Sequence, residues 1–311
     1  MLAKEIGLSG QDLKRALEKA KSYLEKHIDE VNALNVFPVP DGDTGINMFL
    51  TMESAVAAMD NSKDTSAAAV SSAAARGALM GARGNSGIIL SQILGGIAKG
   101  LEDKYTFSFH DFANALTIAS EQAYQVVANP VEGTILTAIR EAAETASLIV
   151  KKGTSFTHAI CSVVTQVKRT VKKTPDMLPV LKEAGVVDAG AKGLYYIFKG
   201  IEHAVCRKYA ETEIAETPVE VATNTENKRT YGFDVQFMIQ GETLPFTEIR
   251  NKVADSGECP LVVGDESLIR VHVHTLNPDD ILNYARGKGT LRDIVVENMD
   301  LQVQEQIERK A

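Results

Sequence analysis

The 311-residue sequence contains no tryptophan, only three cysteines and no excess of basic residues, and each shortage excludes a class of protein. Cys161, Cys206 and Cys259 are scattered, odd in number and never arranged as Cys-x-x-Cys. This argues against a disulfide framework and a zinc ribbon, and it fits a reducing, cytoplasmic compartment. The net charge of −8 argues against a non-specific nucleic-acid binder, which would need a basic face, although backbone dipoles and bound metal can still create a local anion site. Long apolar runs are missing too. The most apolar stretch, residues 88–101, is too short to span a bilayer and is broken by Ser91, Gln92 and Lys99. Residues 1–30 are charged and amphipathic, unlike a signal peptide, and no solenoid-type repeat recurs.

The length allows two domains, each able to bury a core. Before residue 209 almost nothing alternates with period two. Leu13, Ala16, Leu17, Ala20 and Leu24 form a helical stripe, and others follow near 45–59, 65–80, 87–102, 110–127, 134–150, 155–172 and 190–208. The expected fold is therefore multidomain: an all-α domain of bundle or barrel type over 1–209, a polar linker over 210–230, and a small α+β domain over 231–311. In the last, residues 231–239, 260–263, 268–274 and 292–296 read as strands, and 246–254 and 278–285 as helices. Asn277 suits an N-cap, Pro278 a first helical position, and Asp279 and Asp280 the positive dipole end. The order β-α-β-β-α-β suggests a ferredoxin-like sandwich. Residues 300–311 are polar, with no evident cap or turn.

Four clusters carry chemistry. The first is Asn35-Val36-Phe37-Pro38-Val39-Pro40-Asp41-Gly42-Asp43-Thr44-Gly45-Ile46-Asn47. Two prolines stiffen the approach, and two carboxylates precede a helix expected from about Gly45. Hard oxygens on a rigid loop suit Mg²⁺, with Thr44 and Asn47 as further oxygens. For Asp-Gly-Asp alone, a plain turn with Asp43 as helix cap is the simpler reading. A calcium EF-hand fails, because its sixth position would be Ile46 rather than Gly and its twelfth Met52 rather than Glu. The prolines and the neighbouring Thr and Asn favour metal.

The second cluster, Gly81-Ala82-Arg83-Gly84-Asn85-Ser86-Gly87, is a Gly-rich turn feeding a helix, as phosphate cradles often are. It is neither a Walker A loop nor a Rossmann fingerprint, and alone an ordinary helix–helix turn explains it more simply. Arg83 is either a phosphate ligand or a surface charge. The third comprises Pro130-Val131-Glu132-Gly133-Thr134 and Gly185-Val186-Val187-Asp188-Ala189-Gly190-Ala191-Lys192-Gly193. These are loops a nucleotide base could approach, or simply tight connections. The fourth is Val271-His272-Val273-His274-Thr275. On a strand both imidazoles share a face and could chelate one metal, with Asp234 the best third ligand. Hydrogen-bonded strand histidines explain the pair equally well. His27, His110, His158 and His203 lie on or beside expected helices and read as structural or solvated.

Together these residues resemble the ATP-binding subunit of bacterial fatty acid kinase, within the larger family sharing the nucleotide-binding domain of dihydroxyacetone kinase. The likeness is carried by NALNVFPVPDGDTG, NMFLTM, GARGNSGIILSQIL, PVEGTILT and LKEAGVVDAGAKGL, then VHVHTLNP and VENM, from about residue 30 to 299. The resemblance implies a barrel of eight antiparallel helices holding ATP and two Mg²⁺ at one end. It implies Asp41 and Asp43 as metal-coordinating catalytic carboxylates, with Asn35 where related kinases place a third acidic ligand. It further implies Asn85, Ser86 and Gly87 as the phosphate loop, and Thr134, Asp188 and Gly190 in segments closing over the nucleotide. His272 and His274 match a metal-binding pair of the middle domain, with Zn²⁺ as the candidate ion.

Three departures stand out. Asp234 stands where the family has a cysteine ligand, which makes the site less thiophilic. Ala189 and Ala191 replace the usual Ser and Gly, which trims contacts. The chain also stops where the family continues into a third domain, so a truncated or shortened form is expected. The implied activity is phosphorylation of a fatty acid presented by a separate fatty-acid-binding protein, yielding an acyl phosphate. The competing readings are a catalytically silent nucleotide-binding regulator and a dihydroxyacetone (glycerone) kinase-type subunit. Neither nucleic acid nor a membrane span is expected, and a homodimer is left open.

Overall fold

The computed structural model describes residues 7–60, 64–152, 154–206 and 230–310. The stretch expected as a linker, 210–230, lies outside the described residues apart from Thr230. The first part of the chain is built from α1 (Gly10–Glu25), α2 (Ile28–Ala33), α3 (Thr44–Asp60), α4 (Ala67–Gly81) and α5 (Gly84–Gly100). It continues with α6 (Phe109–Val126), α7 (Ile135–Val150), α8 (Phe156–Met177), α9 (Pro179–Ala184) and α10 (Ala189–Val205). Several starts are written locally. Ser9 with Asp12 and Ser108 with Asp111 form capping boxes on α1 and α6, and Ser66 caps α4. The apolar stripes turn inward, so that Leu17, Leu24, Met48, Met52, Leu116 and Ile160 share one core. Strands β1 (Leu8–Ser9) and β2 (Thr106–Phe107) join the starts of α1 and α6, a pairing too short to register as alternation.

Residue spacing ends the seventh long stripe near 172, whereas α8 continues through Pro175 to Met177. Proline has no N–H for the carbonyl of Val171, and the Thr174 hydroxyl donates to that oxygen instead, at 2.8 Å. From α3 to α8 each helix packs on the next, α8 packs on α10, and α10 closes onto α1. The packing is close where residues are small. A Cβ added to Gly96 of α5 would lie 2.3 Å from the Cα of Ala119 on α6. Gly96→Val is expected to cost about 3 kcal/mol, because the obstacle is backbone and cannot swing aside. Urea denaturation would read this, and an unchanged midpoint would show that the two helices can separate freely.

The second part contains β3 (Phe233–Gln240), α11 (Phe246–Ala254), β4 (Glu258–Gly264), β5 (Leu268–Thr275), α12 (Pro278–Arg286) and β6 (Thr290–Asn298). They form an antiparallel sheet ordered β4-β5-β3-β6. Strand alternation sorts its faces. Val235, Phe237, Ile239, Ile269, Val271 and Val273 pack with residues of α11 and α12. The intervening Asp234, Gln236, Met238, Arg270, His272 and His274 are buried as well. They are covered by the helical part: Leu261 and Val263 pack on Ala82 and Ile88, and Arg270 Nη1 donates to the Met80 carbonyl at 3.0 Å. The polar end of the chain, in which the sequence offers no evident cap or turn, forms α13 (Met299–Lys310). Its start is secured by Asn298, whose side chain accepts from Leu301 N–H at 3.2 Å, while Asp300 accepts from Tyr231 N–H at 2.8 Å.

Candidate functional site

Side-by-side helices joined by turns alternate in direction, so every second N-terminus falls at the same end. The starts of α3, α5, α7 and α10 line one cavity of about 230 Å³. Each start presents N–H groups without intrahelical partners and the positive end of a dipole, a setting that favours anions. Phe37, Val39, Ile89, Val131 and Ile135 supply apolar wall, and the sheet of the second part closes the other side through Asp234, Leu261, His272 and His274.

The acidic loop is anchored from a distance. Asn32 Oδ1, on α2, accepts from the N–H groups of Gly45 at 2.7 Å and Ile46 at 3.2 Å, which holds the start of α3. Asn35 donates to Asp41, and Asn47 Nδ2 donates to Asp43 at 2.7 Å. Burial first, and then the charge of Asp43, push Asp41 well above the usual carboxyl range. Burial also raises Asp43, with the charges of Asp234 and Glu297 adding to it. Asn35 Oδ1 is buried and makes no hydrogen bond among the described residues. Two half-buried carboxylates held side by side, each with its pKa raised chiefly by burial, beside an unengaged amide oxygen, fit a hard divalent cation. Thr44, at the start of α3, lines the same cavity.

The second cluster divides. Asn85 and Ser86 face the cavity, whereas Gly87 lies behind them against Thr51, and Arg83 is exposed and off the cavity wall. Gly84 has φ +57°, and a Cβ there would lie 2.4 Å from Asn47 Nδ2, so the turn into α5 needs glycine on both counts. Thr134 caps α7 by accepting from Leu136 N–H at 3.3 Å. Asp188 caps α10 by accepting from Ala191 N–H at 2.7 Å, and its own N–H donates to Thr174 Oγ1 at 2.9 Å. Burial pushes the Asp188 carboxyl up to about 7, against hydrogen bonds from Ala191 and Ile135 that favour its ionised form. Gly190 packs on Ile135 and lines the cavity. Outside the cavity, His27 stacks on Tyr196 with ring centroids 3.8 Å apart.

Strand register brings the last cluster together. Asp234 lies opposite His274, and Gln236 opposite His272. One ligand atom from each of Asp234, His272 and His274 falls within 4.8 Å of the others, all buried. His272 Nδ1 approaches Asp234 Oδ1 to 3.0 Å, yet among the described residues neither atom makes a hydrogen bond of proper angle, and His272 Nε2 has none either. Burial, followed by the charge of His272, lowers His274 to about 4. Burial raises Asp234, but the two imidazoles outweigh it and its carboxyl titrates below the usual range. Neutral imidazole and ionised carboxylate, with heteroatoms left unengaged, suit Zn²⁺ or a similar ion. Asn32, Gln236 and Glu297 fall outside the sequence-expected set. Gln236 alone had a readable signal, since alternation puts it on the face of Asp234.

Residues 38–203 match the DAK2 domain, and residues 230–306 match the middle domain of the FakA-like fatty acid kinase family. Protein YloV of Bacillus subtilis (strain 168) is 38% identical over 308 residues, covering 94% of this chain and 56% of that protein. An uncharacterised protein of Staphylococcus saprophyticus is 35% identical over 300 residues, covering 92% of this chain and 54% of its own length. The chain thus spans about half the length of these relatives. The solved dihydroxyacetone kinase of C. freundii overlaps 66% of this chain and 36% of its own, at 16% identity and a TM-score of 0.47, a likeness too slight to carry an argument. With more than half of its residues inside the first match and a middle-domain match after it, the chain belongs to the DAK2 domain family.

Proposed function

We propose that this chain is an ATP-dependent phosphotransferase whose nucleotide lies in the cavity at the helix starts. The observation that carries this reading is the convergence of four helix N-termini on Asp41 and Asp43, with Asn35 Oδ1 unengaged beside them. The circuit of helices is read as the eight-helix antiparallel barrel. Asn35, Asp41 and Asp43 would hold Mg²⁺, which supplies charge neutralisation for the β- and γ-phosphates. The N–H groups of Asn85 and Ser86 face the phosphates, and Gly87 permits the close packing behind them. Thr44 and Asn47 support the acidic loop, while Thr134, Asp188 and Gly190 border the base and sugar. The first domain, 1–209, is assigned to nucleotide binding, and the part from 231 onward to the Asp234–His272–His274 site.

The acceptor is assigned as a fatty acid carboxylate presented by a separate fatty-acid-binding protein in the cytoplasm. A carboxylate oxygen forms a bond to the γ-phosphorus as the bond to the β–γ bridging oxygen breaks, giving an acyl phosphate and ADP. The match to a FakA-like middle domain supports this acceptor over dihydroxyacetone. Calorimetry with Mg²⁺ and ATP should show saturable binding, and hydroxylamine trapping should detect acyl phosphate when a loaded fatty-acid carrier is supplied. Turnover of dihydroxyacetone alone would replace the acceptor. ATP binding without turnover of either would favour a silent regulator, and no nucleotide binding would end the proposal.

A further inference from the structure

The segment from the end of α4 to the first turn of α5, residues 80–88, is seated on the sheet of the second part at both ends. At its beginning Arg270 of β5 donates to the Met80 carbonyl, and towards its end the Gly84 N–H donates to Gln236 Oε1 at 3.0 Å. Beside these points Ala82 and Ile88 pack on Leu261 and Val263. The segment that faces the phosphates therefore takes part of its shape from another region of the chain.

Gln236 has a second bond. Its Nε2 donates to Asp234 Oδ2 at 2.6 Å, and the residue is 3% exposed. The two neighbours fix the amide orientation without ambiguity, because a carboxylate only accepts and a backbone N–H only donates. The other Asp234 oxygen, Oδ1, is the one beside His272 Nδ1 and without a hydrogen bond among the described residues. One carboxylate thus has one oxygen toward the His272 and His274 cluster and the other toward Gln236, which in turn holds the first residue of α5.

We propose that Gln236 is a positioning residue that couples cation occupancy of the Asp234–His272–His274 site to the phosphate-facing turn at Gly84. A cation bound at Asp234 Oδ1 immobilises the carboxylate, the carboxylate orients the amide, and the amide fixes the Gly84 N–H. The Asn85 and Ser86 N–H groups are then aimed into the cavity. Without the cation the carboxylate is restrained on one side only, and the turn loosens. Coupling of this kind is reciprocal: the nucleotide tightens the cation by the same factor as the cation tightens the nucleotide. The proposal rests on the reading of the Gly84–Gly87 turn as a phosphate site, but half of its test does not.

Two measurements on the full chain decide it. In the first, Zn²⁺ is added to the metal-free protein without nucleotide, and hydrogen exchange at the Gly84 amide is followed. The wild type should show exchange slowed about fivefold or more on Zn²⁺ binding, and Gln236→Met should bind Zn²⁺ with no such slowing. Gln236→Glu provides a second test, because it keeps an acceptor for Gly84 but loses the donor to Asp234, and it should lose the effect as well. In the second, Mg²⁺–ATP affinity is measured with and without Zn²⁺, and its dependence on Zn²⁺ should vanish in both variants. Zn²⁺-dependent protection of Gly84 that persists in either variant, or a wild type that shows none or binds no Zn²⁺, overturns the proposal. Absent ATP binding with intact Gly84 protection would instead overturn the proposed function and leave the relay standing.

Discussion

Asp43→Ala is expected to lower phosphoryl transfer by about a hundredfold or more, the scale of losing one preorganised electrostatic group in a dry site. Asp43 lies in a loop whose partners are arranged around it: Asn47 donates to its carboxylate, and Asp41 sits at hydrogen-bonding distance. Burial disfavours both charges, and the neighbouring charges that act on them are themselves acidic, so the protein alone holds them at a cost. The same variant should therefore fold normally, with a cation-free melting temperature at or above that of the wild type. Loss of activity with gain of apo stability separates a functional carboxylate from a structural one. Steady-state turnover and thermal melts in chelator make the comparison, and full activity would remove the metal assignment.

The second large effect concerns pH. Asp188 is held near 7 by burial, whereas its unfolded value is 3.8. Between those limits the folded protein keeps a proton that the unfolded chain has released, so stability falls as pH rises through the window. His274 acts in the opposite sense. Its folded value of about 4 lies below 6.5, and its contribution is lost as pH falls through that range. Asp188→Asn isolates the first effect, because asparagine still caps a helix and never ionises. In chelator, the variant should match the wild type near pH 4 and exceed it at pH 8 by a few kcal/mol, roughly the energy of a three-unit shift. A variant less stable than wild type at pH 8 would show that the ionised carboxylate is the one α10 needs. Asparagine keeps the cap and places no charge against a triphosphate, so nucleotide binding should survive the substitution.

Helices are legible wherever burial is one-sided. The stripe through Leu13, Leu17 and Leu24 is visible because one face of α1 packs and the other is wet. The continuation of α8 through Pro175 is not, because its rescue by the Thr174 hydroxyl is a property of the folded turn. The strands over 231–239 and 268–274 are legible from alternation and that over 260–263 from a short apolar run, but the burial of the sheet's polar face is not. Asp234, Gln236, Arg270, His272 and His274 resemble the wet side of a sheet until a second surface covers them. The last helix is hidden because its cap, Asn298, is also the final residue of a strand.

What the sequence by itself determined is local: the Pro- and Asp-bearing loop before α3, the glycines before α5, the two histidines on one strand face, and the helical spacing between them. These follow from covalent neighbours and from periods of 3.6 and 2, which need no distant partner. Only the tertiary structure decided that four helix starts meet in one cavity, that Asn32 secures the acidic loop, and that the Asp–His–His cluster reaches the turn before α5 through Gln236. Such juxtapositions depend on how helices close on one another and on which sheet face meets them. They are set by the summed packing of many side chains, and no single segment of the chain encodes them.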